Sequence, residues 1–287
     1  MPTPAPPSTP TAAQPAAALA GGALPATRPD RQFITALARG LQVLRCFRSG
    51  EERLGNQQLA ERCQLPKSTV TRLTHTLTST GYLQQDAASG RYRLGMAALG
   101  IGGSTLARLA IKDISRPLMQ ALAERSGLQI TLGLRDDLAM LYVETCRGGS
   151  ILTLQLDVGS RIPLAVTAMG RACLAGMAPA ARQDALARLR ALDPANWPAV
   201  EAGILQAQAD LAAHGCCGAF GDWKPEIHGI AIPLALAQGL PGGNGLPDMV
   251  VSAAGPALTR TPESYMAEVR PQLITLVQDI RRALAAG

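Results

Sequence analysis

The stretch from residue 59 to residue 93 constrains the fold more than any other part of the chain. It begins with an apolar stripe, Leu59, Ala60 and Cys63, which is interrupted at Gln64-Leu65-Pro66. Proline cannot extend a helix but suits the first turn of the next one. A second helix is therefore expected over residues 66–80, with Val70, Leu73 and Leu77 facing inward at i, i+3 and i+7. On a 3.6-residue wheel the opposite face collects Ser68, Thr71, Arg72, His75 and Ser79, with Lys67 at its start. No acidic residue occurs between Pro66 and Gln85, so the Glu–Lys pairs of an ordinary solvent-facing helix cannot form. Threonine, a poor helix former, recurs at 69, 71, 74, 76, 78 and 80. Short hydroxyls, one Arg, one Lys and one His suit a helix set against phosphates and base edges. Gly81 has the character of the residue that ends a helix. Residues 82–85 and 91–94 read as two strands about a loop at 86–90. A helix-turn-helix followed by a hairpin is a winged helix.

Charge is distributed in keeping with that reading. The 287-residue chain carries a formal net charge of +6. Residues 30–95 hold ten Lys/Arg against five Asp/Glu, while residues 96–287 hold 16 of each. The basic excess thus sits on the winged helix, and a polyanion is the partner it implies. Six cysteines, at 46, 63, 146, 173, 216 and 217, show no CxxC spacing. With only three histidines no zinc constellation is visible, and neither metal nor cofactor is expected. Reduced, buried thiols fit a cytoplasmic protein. No run of about 18 apolar residues is present, so no membrane span is expected.

Residues 1–29 are rich in Pro and Ala and almost uncharged, the composition of a disordered tail. Phe33, Ile34, Leu37, Leu41, Val43, Leu44 and Phe47 mark an amphipathic helix to about residue 48. Residues 96–109 form an apolar linker helix weakened by three glycines. From residue 113 the pattern changes. A helix ends at Gly127, a hairpin turns at 135–137, and a strand is expected at 151–156. Helices follow at 167–174, 180–190 and 197–213, and strands at 216–220, 227–236 and 249–254. Residues 239–245 read as a Gly-rich turn and 262–284 as a closing helix. Strands and helices mix in the manner of an α+β domain with a central antiparallel sheet. The expected division is a tail at 1–29, a winged helix at 30–95, a linker at 96–112 and a second domain at 113–287.

The segments ALARGLQVLRCF, LPKSTVTRL, GYLQQDAASGRYRLG, PLAVTAMGRACLAG and MVVSAAGP, in this order and at these spacings, resemble the IclR (isocitrate lyase regulator) family of bacterial transcription factors. The resemblance covers about residues 33–284. It implies an N-terminal winged helix-turn-helix, a linker helix and a C-terminal GAF-like α/β domain that binds a small organic acid. It also implies dimers, often tetramers, on operator DNA. Matched residue by residue, it places Lys67, Ser68, Thr69, Thr71, Arg72 and His75 at the DNA, with Arg91 and Arg93 of the wing contacting phosphates or the minor groove. It places the backbone of Ala168, Met169 and Gly170 beside the effector, where amides at a helix start suit a carboxylate. Ser252 is expected to bind the same group.

Members that take glyoxylate or pyruvate resemble one another in four polar positions, which here are Ala219, Gly229, Ser252 and Ala254. Three of the four polar groups are missing. A larger aromatic or acyl carboxylate is expected instead, with Trp223 as a stacking wall and His228 as a further contact. Two other readings compete: a thiol enzyme using Cys173, and a redox sensor using Cys216 or Cys217. For the adjacent pair, strand alternation predicts one buried and one exposed thiol.

Overall fold

The computed structural model describes residues 32–47, 51, 53–107, 109–149, 156–234 and 249–286. The expected tail, most of the strand at 151–156 and the turn at 239–245 lie outside these residues. The winged helix comprises α1 (Thr35–Arg45), α2 (Asn56–Cys63), α3 (Lys67–Ser79), β1 (Leu83–Gln85) and β2 (Tyr92–Leu94). The turn between α2 and α3 is made by Gln64, whose φ of 54° is left-handed, and by Pro66, which sits one residue before α3. At the other end of α3 the Tyr82 amide donates to the Leu77 carbonyl at 2.8 Å and the Gly81 amide to Thr78 at 3.1 Å. Gly81 has a φ of +76°, so glycine ends the helix as its position in the sequence predicts.

The inward side of α3 contains more than the apolar triad. Val70 and Thr74 are fully buried, whereas Leu73 and Leu77 are half-buried. The wing gains a third, one-residue edge, because Leu54 and Tyr92 exchange both backbone hydrogen bonds. Val43, Leu54, Leu59, Val70, Leu83 and Tyr92 form the small core beneath.

The helix α4 (Met96–Ala107) buries none of its residues and leads to α5 (Ala110–Ser126). A six-stranded antiparallel sheet follows, built from β3 (Gln129–Asp136), β4 (Ala139–Arg147), β5 (Arg161–Pro163), β6 (Cys217–Phe220), β7 (Ile227–Leu234) and β8 (Met249–Pro256). Its strand order is β5-β4-β3-β8-β7-β6. The helices α6 (Ala168–Gly176), α7 (Pro179–Leu192) and α8 (Trp197–His214) intervene between β5 and β6. The short α9 (Pro262–Ser264), a π-helical turn at Tyr265–Val269 and α10 (Arg270–Ala286) close the chain, so the expected single helix is broken in its first turns.

Alternation along the strands sorts the core into two layers. Ile130, Leu132, Ile230, Ile232, Val251 and Ala253 face α5 and α10. Ala231, Val250, Cys217 and Ala219 face α6 and α8. The sheet is covered on both sides, and this corrects the expectation for the adjacent cysteines. Cys216 and Cys217 do point to opposite faces, but each face is a core and both thiols are fully buried. The strand β5 was not foreseen; its three residues carry no periodic signal and owe their extension to pairing with β4. Among the described residues no helix is long and apolar enough to cross a membrane.

Candidate functional site

The outer face of α3 is open. Lys67, Ser68, Thr71, Arg72 and His75 are exposed and Thr69 is half-buried. Lys67, Ser68, Arg72 and His75 have no side-chain hydrogen-bond or ion-pair partner among the described residues. The threonines behave differently. Thr71, Thr76 and Thr80 donate their hydroxyls to the carbonyls four residues back, at 2.9, 3.0 and 2.9 Å. Thr71 also accepts from Asn56 Nδ2 at 2.7 Å, which ties α3 to α2. These three hydroxyls therefore leave acceptor lone pairs outward, while Lys67, Ser68, Arg72 and His75 are available as donors.

The wing stands beside this face. Arg91 and Arg93 are exposed, and each rests on a neutral partner: Arg91 on Gln58 Oε1 at 3.2 Å and Arg93 on Gln84 Oε1 at 2.9 Å. Neither forms an ion pair with a carboxylate among the described residues. The loop is held by Asp86, which accepts from Ser89 Oγ at 2.7 Å and pairs with Arg53. The Ser89 hydroxyl keeps this carboxyl below its ordinary range.

The second candidate site lies between the sheet and the start of α6. Thr167 caps that helix: its hydroxyl accepts from the Gly170 amide at 3.1 Å and donates to the Pro163 carbonyl at 2.7 Å. The Gly170 amide is thus already satisfied, whereas the Ala168 and Met169 amides have no acceptor among the described residues. Ala168 and Met169 line a pocket together with Ser252, Trp223, Tyr142 and Ile162. Ala219, Gly229 and Ala254, the three positions that depart from the oxoacid pattern, line it as well. The empty space is about 440 Å³ with its mouth included, and the walls stand close together. Ser252 is 5% exposed, and its hydroxyl has no protein partner among the described residues.

Gly170 does not line this pocket. A Cβ there would overlap the Leu164 backbone, so the glycine permits close packing of α6. His228 is not part of the pocket either. It neighbours Gly229 on β7 and so points to the other side of the sheet, where Nδ1 meets the Arg260 carbonyl at 3.1 Å. Its ring packs edge-on against Phe220, with centroids 5.4 Å apart. The expectation that His228 contacts the effector is therefore corrected by the register of one strand.

Several residues that shape the pocket were not foreseen. Arg171, 5% exposed, donates through Nε to the Ala165 carbonyl at 3.1 Å and through Nη2 to Asp222 Oδ1 at 3.0 Å. Asp222 Oδ2 accepts from the Phe220 amide at 2.9 Å. This chain of contacts fastens the β6–β7 turn, and Trp223 with it, to α6. Lys224 Nζ lies 4.9 Å from the Trp223 ring centroid. Cys173 is fully buried in the core of this layer. Burial pushes the Cys216 thiol up to about 12 and the Cys217 thiol higher still. Among the described residues no cluster of metal-binding side chains is present.

Comparison with known proteins gives the same two-part picture. The IclR helix-turn-helix domain matches residues 36–87, and the bacterial transcriptional regulator IclR C-terminal domain matches residues 103–198. The HTH-type transcriptional regulator TsaQ1/TsaQ2 of Comamonas testosteroni is 36% identical over 258 residues, covering 89% of this chain and 90% of the relative. The Pca regulon regulatory protein of Pseudomonas putida is 26% identical over 241 residues, covering 83% and 82%. The crystal structure of an IclR family transcriptional regulator from Brucella abortus superposes with a TM-score of 0.77 at 38% identity, covering 90% of this chain and 95% of the other. The chain belongs to the IclR family of bacterial transcriptional regulators.

Proposed function

We propose that this regulator grips double-stranded operator DNA with α3 and the wing, and that an organic carboxylate with an aromatic or acyl body, bound beneath α6, controls the grip. Lys67, Ser68, Thr69, Thr71, Arg72 and His75 are the groove contacts, and Arg91 and Arg93 contact the backbone beside it. The observation that carries this reading is the carboxylate-free face of α3, on which Lys67, Ser68, Arg72 and His75 have no partner within the described residues. Holding those groups unpaired has no structural use, whereas phosphates and base edges would satisfy them.

The effector reading is supported by the pocket's division of labour. The Ala168 and Met169 amides and the Ser252 hydroxyl supply donors for an anion at a helix start. Ala219, Gly229, Ala254 and Trp223 supply apolar walls. A small oxoacid would leave most of those walls without a ligand to cover. The Pca regulon regulatory protein, a relative named for the regulon it governs, supports a role in control of a catabolic operon. Residues 30–95 would act as reader, 96–112 as linker and 113–287 as effector domain.

The protein would work as a homodimer, with two copies of α3 about one helical turn of DNA apart. Exposed Phe33, Ile34, Leu37 and Leu41 on the α1 side, with Met96, Leu99 and Ile101 on α4, supply the apolar surface for that contact. Pairs of dimers would then account for tetramers on DNA. The competing thiol readings find little support, since Cys173, Cys216 and Cys217 are all fully buried. The pocket is tested by thermal unfolding against a panel of carboxylates. Stabilisation by benzoates or longer acyl acids is expected, and stabilisation by two- and three-carbon oxoacids alone would refute the pocket assignment.

A further inference from the structure

Beyond the donors expected at the carboxylate end, the pocket contains a polar group that no sequence pattern suggested. Tyr142 lies on β4, which carries an irregularity: Leu132 pairs with Glu144 but the next residue, Gly133, pairs with Tyr142. The extra residue, Val143, turns into the layer facing α5, and Tyr142 turns toward α6 and the pocket. Bulges commonly re-aim a side chain in this way. The backbone at this point is pinned on its outer edge. The Tyr142 amide donates to the Ser160 carbonyl at 2.9 Å, and the Gly159 amide donates to the Tyr142 carbonyl at 2.9 Å.

Tyr142 is 4% exposed, and its hydroxyl has no hydrogen-bond partner among the described residues. The hydroxyl is left to water or to whatever fills the pocket, and phenylalanine would fill the same volume with no polar atom to satisfy. A phenol is a donor at neutral pH in any case, and burial raises this one further above its ordinary value. The anion donors lie elsewhere: Ser252 sits on β8, two strands from β4 with β3 between them. Two strand spacings separate the backbones of Tyr142 and Ser252 by roughly 10 Å. Tyr142 and Ser252 thus reach the pocket from different strands, with Ala219, Gly229 and Ala254 also lining it.

We propose that Tyr142 is a specificity-determining residue whose hydroxyl donates to an uncharged oxygen at the end of the ligand remote from its carboxylate. The ligand class is then a flat, two-ended molecule: a carboxylate at the start of α6, an apolar body against Trp223 and Ala219, and a hydroxyl, ether or carbonyl oxygen at Tyr142. This inference rests on the effector reading above and narrows it.

The test is calorimetric titration of the full chain with two acids of nearly equal shape, 4-hydroxybenzoate and 4-methylbenzoate. Wild type is expected to prefer 4-hydroxybenzoate. Tyr142→Phe is expected to lose about tenfold in affinity for 4-hydroxybenzoate while binding 4-methylbenzoate as before. A wild-type preference for 4-methylbenzoate, or an equal change on both acids in Y142F, overturns the assignment of Tyr142 and leaves the pocket intact. If neither acid binds wild type, this inference fails, while the wider effector reading stands or falls with the carboxylate panel. Should Y142F not fold, the wild-type preference still decides.

Discussion

Single residues in this molecule are set more by which face they occupy than by their chemistry. Cys216 and Cys217 are neighbours on opposite faces of a sheet covered on both sides, so neither is a surface thiol. For Cys216 the pKa rises from the ordinary 9.0 to about 12 because burial penalises the thiolate. A raised folded-state value favours the protonated, folded form. Its contribution is complete below the unfolded value and is lost as pH climbs through the folded one. Stability should therefore fall between about pH 9 and pH 12, as Cys216 and then Tyr265, also raised to about 12, ionise on unfolding. Urea denaturation across that range measures it. A flat profile would mean that these groups are not shielded from water. Selective alkylation of a native cysteine at neutral pH would likewise revive the thiol readings.

At the scale of elements, the start of α6 joins structure to the proposed ligand site. Thr167 closes the helix by spending its hydroxyl on Gly170 and Pro163, which leaves the first two amides for an anion. Thr167→Ala should cost about 1 kcal/mol of stability, read from the denaturation midpoint, and should weaken carboxylate binding as the helix start loosens. Unchanged binding would show that the amides are not the anion site.

The same element shows what sequence could and could not tell. The motif around residues 167–174 located the helix and singled out three amides at its start, of which that of Gly170 is taken by Thr167. It did not reveal that Gly170 is there to let Leu164 approach. In the winged helix the 3.6-residue period and Gly81 were enough to place α3 and its end, because both signals are local. Thr74 went unread although it falls at i+4 from Val70 on the buried stripe, because a hydroxyl does not count as apolar; here it is spent on the Val70 carbonyl. His228 was misplaced although the period of two was available: with Gly229 assigned to the pocket, its neighbour had to face away. Tyr142 was beyond reach, since its direction depends on a register shift between two strands.

For the whole molecule, the unresolved balance is between the apolar surface on α1 and α4 and the water it faces. Met96 is 77% exposed and Ile34 63%. A second copy of the chain would cover them and place two basic winged helices side by side. Leu37→Glu, on the exposed stripe of α1, should convert the proposed dimer to a monomer in light scattering while leaving the monomer fold intact. Persistence of the dimer would place the interface elsewhere.

The central claim, that the open face of α3 reads a duplex, is tested most directly by titrating the full chain onto DNA from the promoter beside its own gene, for wild type and Arg72→Ala. If Arg72 reads a base, the variant should bind more weakly by about 1–3 kcal/mol and should discriminate less between operator and unrelated DNA. Equal affinity and equal discrimination in the two proteins would contradict the account.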